Sequence, residues 1–115
     1  MKKIILIKWI NNLNDFNYIK DLDNVYINGS LDLYNNNLKE FNYNKAINLS
    51  LILDCNDLKE FNYNKNINWD LYLSNNYLEE FNYDKYINWS LFLTYNHLNI
   101  TEQDLKCKVK YNIFL

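Results

Sequence analysis

The sequence predicts a mainly β solenoid of short coils, with a parallel β-sheet on one face and an extended or turn-like convex side. Three observations carry that expectation. Shifting the chain along itself by about 20 residues aligns Ile27, Ile47, Ile67 and Ile87, then Leu31, Leu51, Leu71 and Leu91, then Leu33, Leu53, Leu73 and Leu93. Each copy holds a Leu-x-Leu step, the period of a strand whose alternate side chains share one face. An asparagine recurs at Asn36, Asn56, Asn76 and Asn96, where a bend leaves backbone groups for its side-chain amide to satisfy.

Taken in chain order, Met1–Ile10 reads as an N-terminal capping strand. Leu6, Asn11, Leu13, Phe16, Tyr18 and Lys20 match Leu31, Asn36, Leu38, Phe41, Tyr43 and Lys45, with an insertion over Lys20–Tyr26. Residues 1–26 are therefore an irregular first coil and cap. Residues 27–98 are the regular coils: a strand, an Asn-rich turn, the inward Leu38, Leu58, Leu78 and Leu98, and then Phe-Asn-Tyr at Phe41, Phe61 and Phe81. That last step alternates as well, so the second side of each coil is extended, and so short a repeat leaves little room for a convex helix. An Asn-Lys corner at Lys45, Lys65 and Lys85 leads to the next isoleucine. Residues 99–115 form the C-terminal cap, with Lys106–Leu115 as a second capping strand, because terminal units meet solvent where inner ones meet a neighbour. The whole is one domain spanning 1–115.

The segment Leu31-x-Leu33-x-x-Asn36-x-Leu38-x-x-Phe41, repeated at 51–61 and 71–81, resembles the core of the leucine-rich repeat family. The resemblance covers 27–98 closely and 2–26 loosely, and coils this short are similar to those of some bacterial effectors. It implies a solenoid architecture rather than an activity. The chain departs from the family pattern at Asn28, where a leucine is usual and Ile27 is displaced by one position, and in having no proline.

Composition narrows the function classes. An apolar fraction of 49% excludes a disordered tail. A net charge of -2, with lysines scattered along the chain and no arginine, disfavours nucleic acid as a direct ligand. No apolar run approaches the roughly 18 residues of a membrane span, and Lys8 interrupts the apolar start, so neither a span nor an export signal is expected. Two distant cysteines make no disulfide framework, and a cytoplasmic location is expected. Asparagine makes up about a fifth of the chain, and the Asn, Lys, Ile, Tyr and Phe bias points to an AT-rich genome. A phage or virus encoding a blocker of a host defence complex such as CRISPR fits that bias.

The chemistry of catalysis is thinly represented. His97 is the single histidine, in a column with Asn37, Asp57 and Tyr77, and is expected as a solvent-facing turn residue. Cys55 lies in a column with Asn35, Asn75 and Tyr95. Cys107, between Lys106 and Lys108, is open to two readings: a thiol with its pKa lowered by nearby cations, or an inward residue of the cap. Glu40, Glu60 and Glu80 form a ladder expected at a solvated edge, since calcium loops combine glycine with several aspartates in one short segment. The one glycine, Gly29, rules out a glycine-rich phosphate loop. No catalytic residue, metal or cofactor is expected, and the chain reads as a non-enzyme.

In a repeat protein the constant columns build the core, and binding is sought in columns that change from copy to copy. Between the core leucines lie Asp32, Ile52, Tyr72 and Phe92; flanking them are Ser30, Ser50, Asp70 and Ser90 on one side and Tyr34, Asp54, Ser74 and Thr94 on the other. The expected partner-binding set is Asp32, Ile52, Asp54, Asp70, Tyr72, Tyr77, Phe92, Tyr95 and His97. Aromatic stacking that merely stabilises the ladder accounts for the same rings. Trp69 and Trp89 are secondary candidates, although rings this large are expected to pack inward. The function expected is binding another protein, as a stoichiometric inhibitor or adaptor, with carbohydrate binding and self-association through the end strands as alternatives.

Overall fold

Leucines 20 residues apart lie side by side, because each Leu-x-Leu step buries two side chains on one face and leaves its backbone to pair sideways. The computed structural model describes residues 5–7 and 9–115. The main feature is a five-stranded parallel sheet of very short strands: β3 (Leu31–Asp32), β4 (Leu51–Ile52), β5 (Leu71–Tyr72), β7 (Leu91–Phe92) and β9 (Ile113–Phe114), in that order. Leu31 stands opposite Leu51, Leu51 opposite Leu71, Leu71 opposite Leu91, and Leu91 opposite Ile113. Where each strand begins and ends its backbone donates to the next segment: Leu51 to the Asp70 carbonyl at 3.1 Å, Leu53 to Tyr72 at 2.8 Å, Cys55 to Ser74 at 3.0 Å.

Two smaller parallel pairs flank it, β1 (Ile5–Ile7) with β2 (Val25–Ile27) and β6 (Tyr86–Ile87) with β8 (Lys108–Val109). Single bridges join Ile27 to Ile47 and Ile67 to Ile87. The core sits between these rows and the Phe-Asn-Tyr segments. Leu31, Leu33, Leu51, Leu53, Leu71, Leu73 and Ile67 are fully buried, each worth about 1.5–3 kcal/mol of burial. Phe41, Phe61 and Phe81 stack in a column with ring centroids 6.2 Å apart, and Tyr43 lies 6.5 Å from Tyr63. Asn42, Asn62 and Asn82 point outward between them, as alternation requires.

The recurrent asparagines fasten the turns. The Asn56 amide donates to the carbonyls of Leu33 and Leu53 at 2.9 and 3.0 Å, and its Oδ1 accepts the N–H groups of Asn36 and Leu38 at 3.0 Å. Asn76 and Asn96 repeat the arrangement. The residue before each of them adopts left-handed backbone, with φ between 55° and 59° at Asn35, Cys55, Asn75 and Tyr95.

The first segment departs from expectation. Ile10, not Leu6, lies beside Leu31, and Leu6 pairs with Tyr26. A short helix, α1 (Leu13–Ile19), follows, capped by the Asn12 side chain accepting from the Asp15 N–H at 2.8 Å. It carries Phe16 over Phe41, with ring centroids 5.8 Å apart. A helical turn buries Phe16 and Ile19 and leaves Tyr18 exposed, so Ile19, not Tyr18, points inward. The capping strand expected over Met1–Ile10 lies partly outside the described residues.

At the other end, Lys106–Leu115 is two short strands separated by a bend rather than one. β8 and β9 repeat β6 and β7 with a 22-residue offset. A 3₁₀ turn at Glu102–Asp104 precedes them, where the Asp104 carboxylate accepts from the Thr101 N–H at 2.8 Å.

Candidate interaction surface

The outward residues of the sheet fall into two halves. Toward the C-terminal end the rings of Tyr72, Phe92 and Phe114 stack almost parallel, with centroids 4.5 and 4.7 Å apart and planes inclined by 4° and 8°. Backbone spacing in a parallel sheet is close to an aromatic stacking distance, so the ladder itself sets this register. Phe114 is 41% exposed. It was not singled out in the sequence, although the offset that carries Leu91 onto Ile113 also carries Phe92 onto Phe114.

Toward the N-terminal end the same face carries Asp32, Asp54 and Asp70, with Ile52 among them. Each uses one oxygen to fasten the backbone: Asp32 accepts from the Tyr34 N–H at 3.0 Å, Asp54 from Ser74 at 2.7 Å, Asp70 from Ser90 at 2.9 Å. Burial raises the Asp54 carboxyl above the ordinary value, the Ser74 N–H opposes this, and the negative charge of Asp32 adds to it. Burial and then the Asp70 charge raise the Tyr72 phenol, whose hydroxyl points to Asp70 Oδ2 at 3.4 Å. Among the described residues the one ion pair is Lys85 with Asp84, 3.8 Å apart, so none of these three aspartates is ion-paired.

The serine column is not part of the surface. Ser30, Ser50 and Ser90 are buried. Their hydroxyls accept from the N–H of Ser50, Asp70 and Asn112 at 3.1, 3.2 and 3.3 Å, closing the ladder where the strands begin.

Trp69 and Trp89, expected to pack inward, are 46% and 52% exposed. They lean on each other at 6.2 Å, and Tyr111 continues the row 5.4 Å from Trp89. Position 29, where this column begins, is a glycine, and the fully buried isoleucines and leucines on either side already fill the interior.

Beyond the turn, Tyr77 and His97 stack at 5.7 Å, both exposed. Tyr95 is 79% exposed while held at φ 57°, a backbone region unfavourable for tyrosine. These rings and Asn56, Asn75 and Asn76 line a shallow hollow. The structure thus brings Tyr72 and Phe92 together, and Tyr77, Tyr95 and His97 together, around the two sides of one corner. Cys107 is buried, and that burial pushes its thiol up to about 11, deciding for the inward reading over activation by its lysine neighbours.

Comparison with protein-family models, curated proteins and solved structures finds no match to the chain. Among the described residues no helix is long and apolar enough to cross a membrane, and no group of three or more His, Cys, Asp and Glu side chains is placed to hold a metal ion.

Proposed function

We propose that this chain is a leucine-rich-repeat-type solenoid, mainly β in character, that works as a protein-binding module. The constant register between successive parallel strands and the asparagine-fastened turns support the architectural reading. One observation carries the functional reading: three rings, Tyr72, Phe92 and Phe114, are stacked in order on a rigid sheet face and left partly open to solvent. Rigid aromatics lose little conformational freedom on binding and are typical hot spots of protein interfaces. The row of Trp69, Trp89 and Tyr111 supplies a second exposed aromatic surface.

The module acts by occupying a partner's surface, as an inhibitor or adaptor, and not by chemistry of its own. Its one histidine is held against Tyr77, and its buried thiol stays protonated at neutral pH. Both thiols are free, which suits a reducing compartment such as the cytoplasm. A sugar-binding reading is weaker, because Trp69 and Trp89 are inclined by 38° and packed on each other, whereas a glycan platform needs rings spread in one plane.

The test is co-purification from cells of the source organism or its host, repeated with Tyr72→Ala plus Phe92→Ala. Loss of a stoichiometric protein partner with unchanged circular dichroism supports the reading. Undiminished capture by the double variant removes the sheet face from consideration. Monomeric sedimentation across concentration excludes self-association through the end strands as the source of the same loss.

A further inference from the structure

The sheet face is chemically lopsided, and the imbalance specifies its partner. On and immediately beside β3, β4, β5, β7 and β9 the sheet face carries Asp32, Asp54 and Asp70 and three stacked rings but no lysine. All twelve lysines lie outside these five strands in the sequence. Asp54 is partly desolvated and faces the charge of Asp32, and Tyr72 sits beside the carboxylate of Asp70. Each aspartate spends one oxygen on the backbone and keeps the charge of the carboxylate uncompensated by any cation among the described residues. The face is therefore anionic at one end, aromatic at the other, and rigid throughout.

Resting on the protein-binding reading above, we infer that the partner is a basic protein segment, presenting an arginine to Asp54, Tyr72 and Asp70 while apolar side chains cover Phe92 and Phe114. Charge complementarity selects this occupant. A guanidinium is planar and weakly hydrated and forks to carboxylates, which a compact ammonium does less well, while the Tyr72 ring, stacked between its ladder neighbours Ile52 and Phe92, offers its edge beside it. The same carboxylates repel nucleic acid phosphates and acidic surfaces. Arginine is absent from this chain, so the complement has to come from another molecule.

The probe is a short synthetic peptide alternating arginine and leucine, with a matching glutamate–leucine peptide as control, titrated by calorimetry against the 115-residue chain. Asp54→Asn plus Asp70→Asn keeps both Oδ1 acceptors for the Ser74 and Ser90 N–H groups and removes two charges. Asp21→Asn plus Asp23→Asn removes the same charge from exposed positions off the sheet. The expected result is binding of the arginine peptide alone, weakened about tenfold by the first pair and unchanged by the second. Equal binding of both peptides, no binding of either, or equal effects of the two variant pairs overturns the inference. Co-purification separates it from its premise: a partner lost with Tyr72→Ala plus Phe92→Ala but retained with Asp54→Asn plus Asp70→Asn leaves the aromatic face standing and removes the basic partner.

Discussion

The Asn76 side chain donates to the carbonyl of Leu53, 23 residues earlier, at 3.0 Å. Its amide also serves the Leu73 carbonyl at 3.1 Å, and its Oδ1 takes the Leu58 N–H at 3.0 Å, so one buried side chain ties two consecutive segments together at three points. Asn76→Ala leaves two buried carbonyls and one N–H without partners. The expected loss is about 3 kcal/mol, read as a lower urea midpoint, since each unsatisfied buried group costs about 1–3 kcal/mol and relaxation recovers part. Asn36, only half-buried at the edge of the same column, has a smaller effect.

The turn residue before each of these asparagines is left-handed whatever its type. Asn35 and Asn75 tolerate this, but Cys55 at φ 59° and Tyr95 at φ 57° do so at a cost. Cys55→Asn and Tyr95→Asn are each expected to stabilise the fold by about 1 kcal/mol, seen as a raised Tm. For Tyr95→Asn the gain in stability is expected to accompany weaker partner binding, because the exposed ring lines the hollow beside Tyr77 and His97.

Much of this was legible from the residues. The columns of leucine and asparagine reappear as the ladder and its fastenings, because a strand step and a bend each have a local chemical signature. Phe41, Phe61 and Phe81 stack as their spacing implies. The first segment is not legible: the alignment of Phe16 with Phe41 holds, but it does not reveal that Asn12 caps a helix in place of the extended path. Trp69 and Trp89 misled because ring size argues for burial, whereas their orientation is fixed by which neighbours already fill the core. Phe114 and Tyr111 were hidden by a 22-residue offset. The pairing of charge with aromatic stacking depends on side-chain geometry that periodicity does not encode.

The raised Asp54 carboxyl makes stability depend on pH in a predictable sense. Its folded pKa lies above the ordinary aspartate value, chiefly through burial, so the folded state holds the proton more tightly than the unfolded one. The resulting stabilisation is complete below that value and is lost as pH rises through the folded pKa. Asp54→Asn keeps the acceptor for Ser74 without the charge. It is expected to melt higher than the parent chain at pH 7, with the difference shrinking as the pH is lowered toward the ordinary carboxyl range. A difference that grows on acidification contradicts the sign.

Two tyrosines of one column should respond in opposite ways to the loss of a hydroxyl. The Tyr63 hydroxyl donates to the Lys45 carbonyl at 2.6 Å, and that of Tyr83 donates to the Lys65 carbonyl. Tyr43 comes first in the column, and its buried hydroxyl has no partner among the described residues. The reason lies in the irregular first segment: α1 replaces the extended path, and the Lys20 carbonyl at its end is taken by the Lys45 ammonium at 2.5 Å. Tyr63→Phe removes a satisfied buried bond and is expected to cost about 1 kcal/mol. Tyr43→Phe removes a buried polar atom that lacks a partner, and is expected to be neutral or to stabilise by up to about 1 kcal/mol. Chemical denaturation of the two variants side by side decides the matter, since equal losses at both positions would mean that Tyr43 has a hydrogen-bond partner in solution.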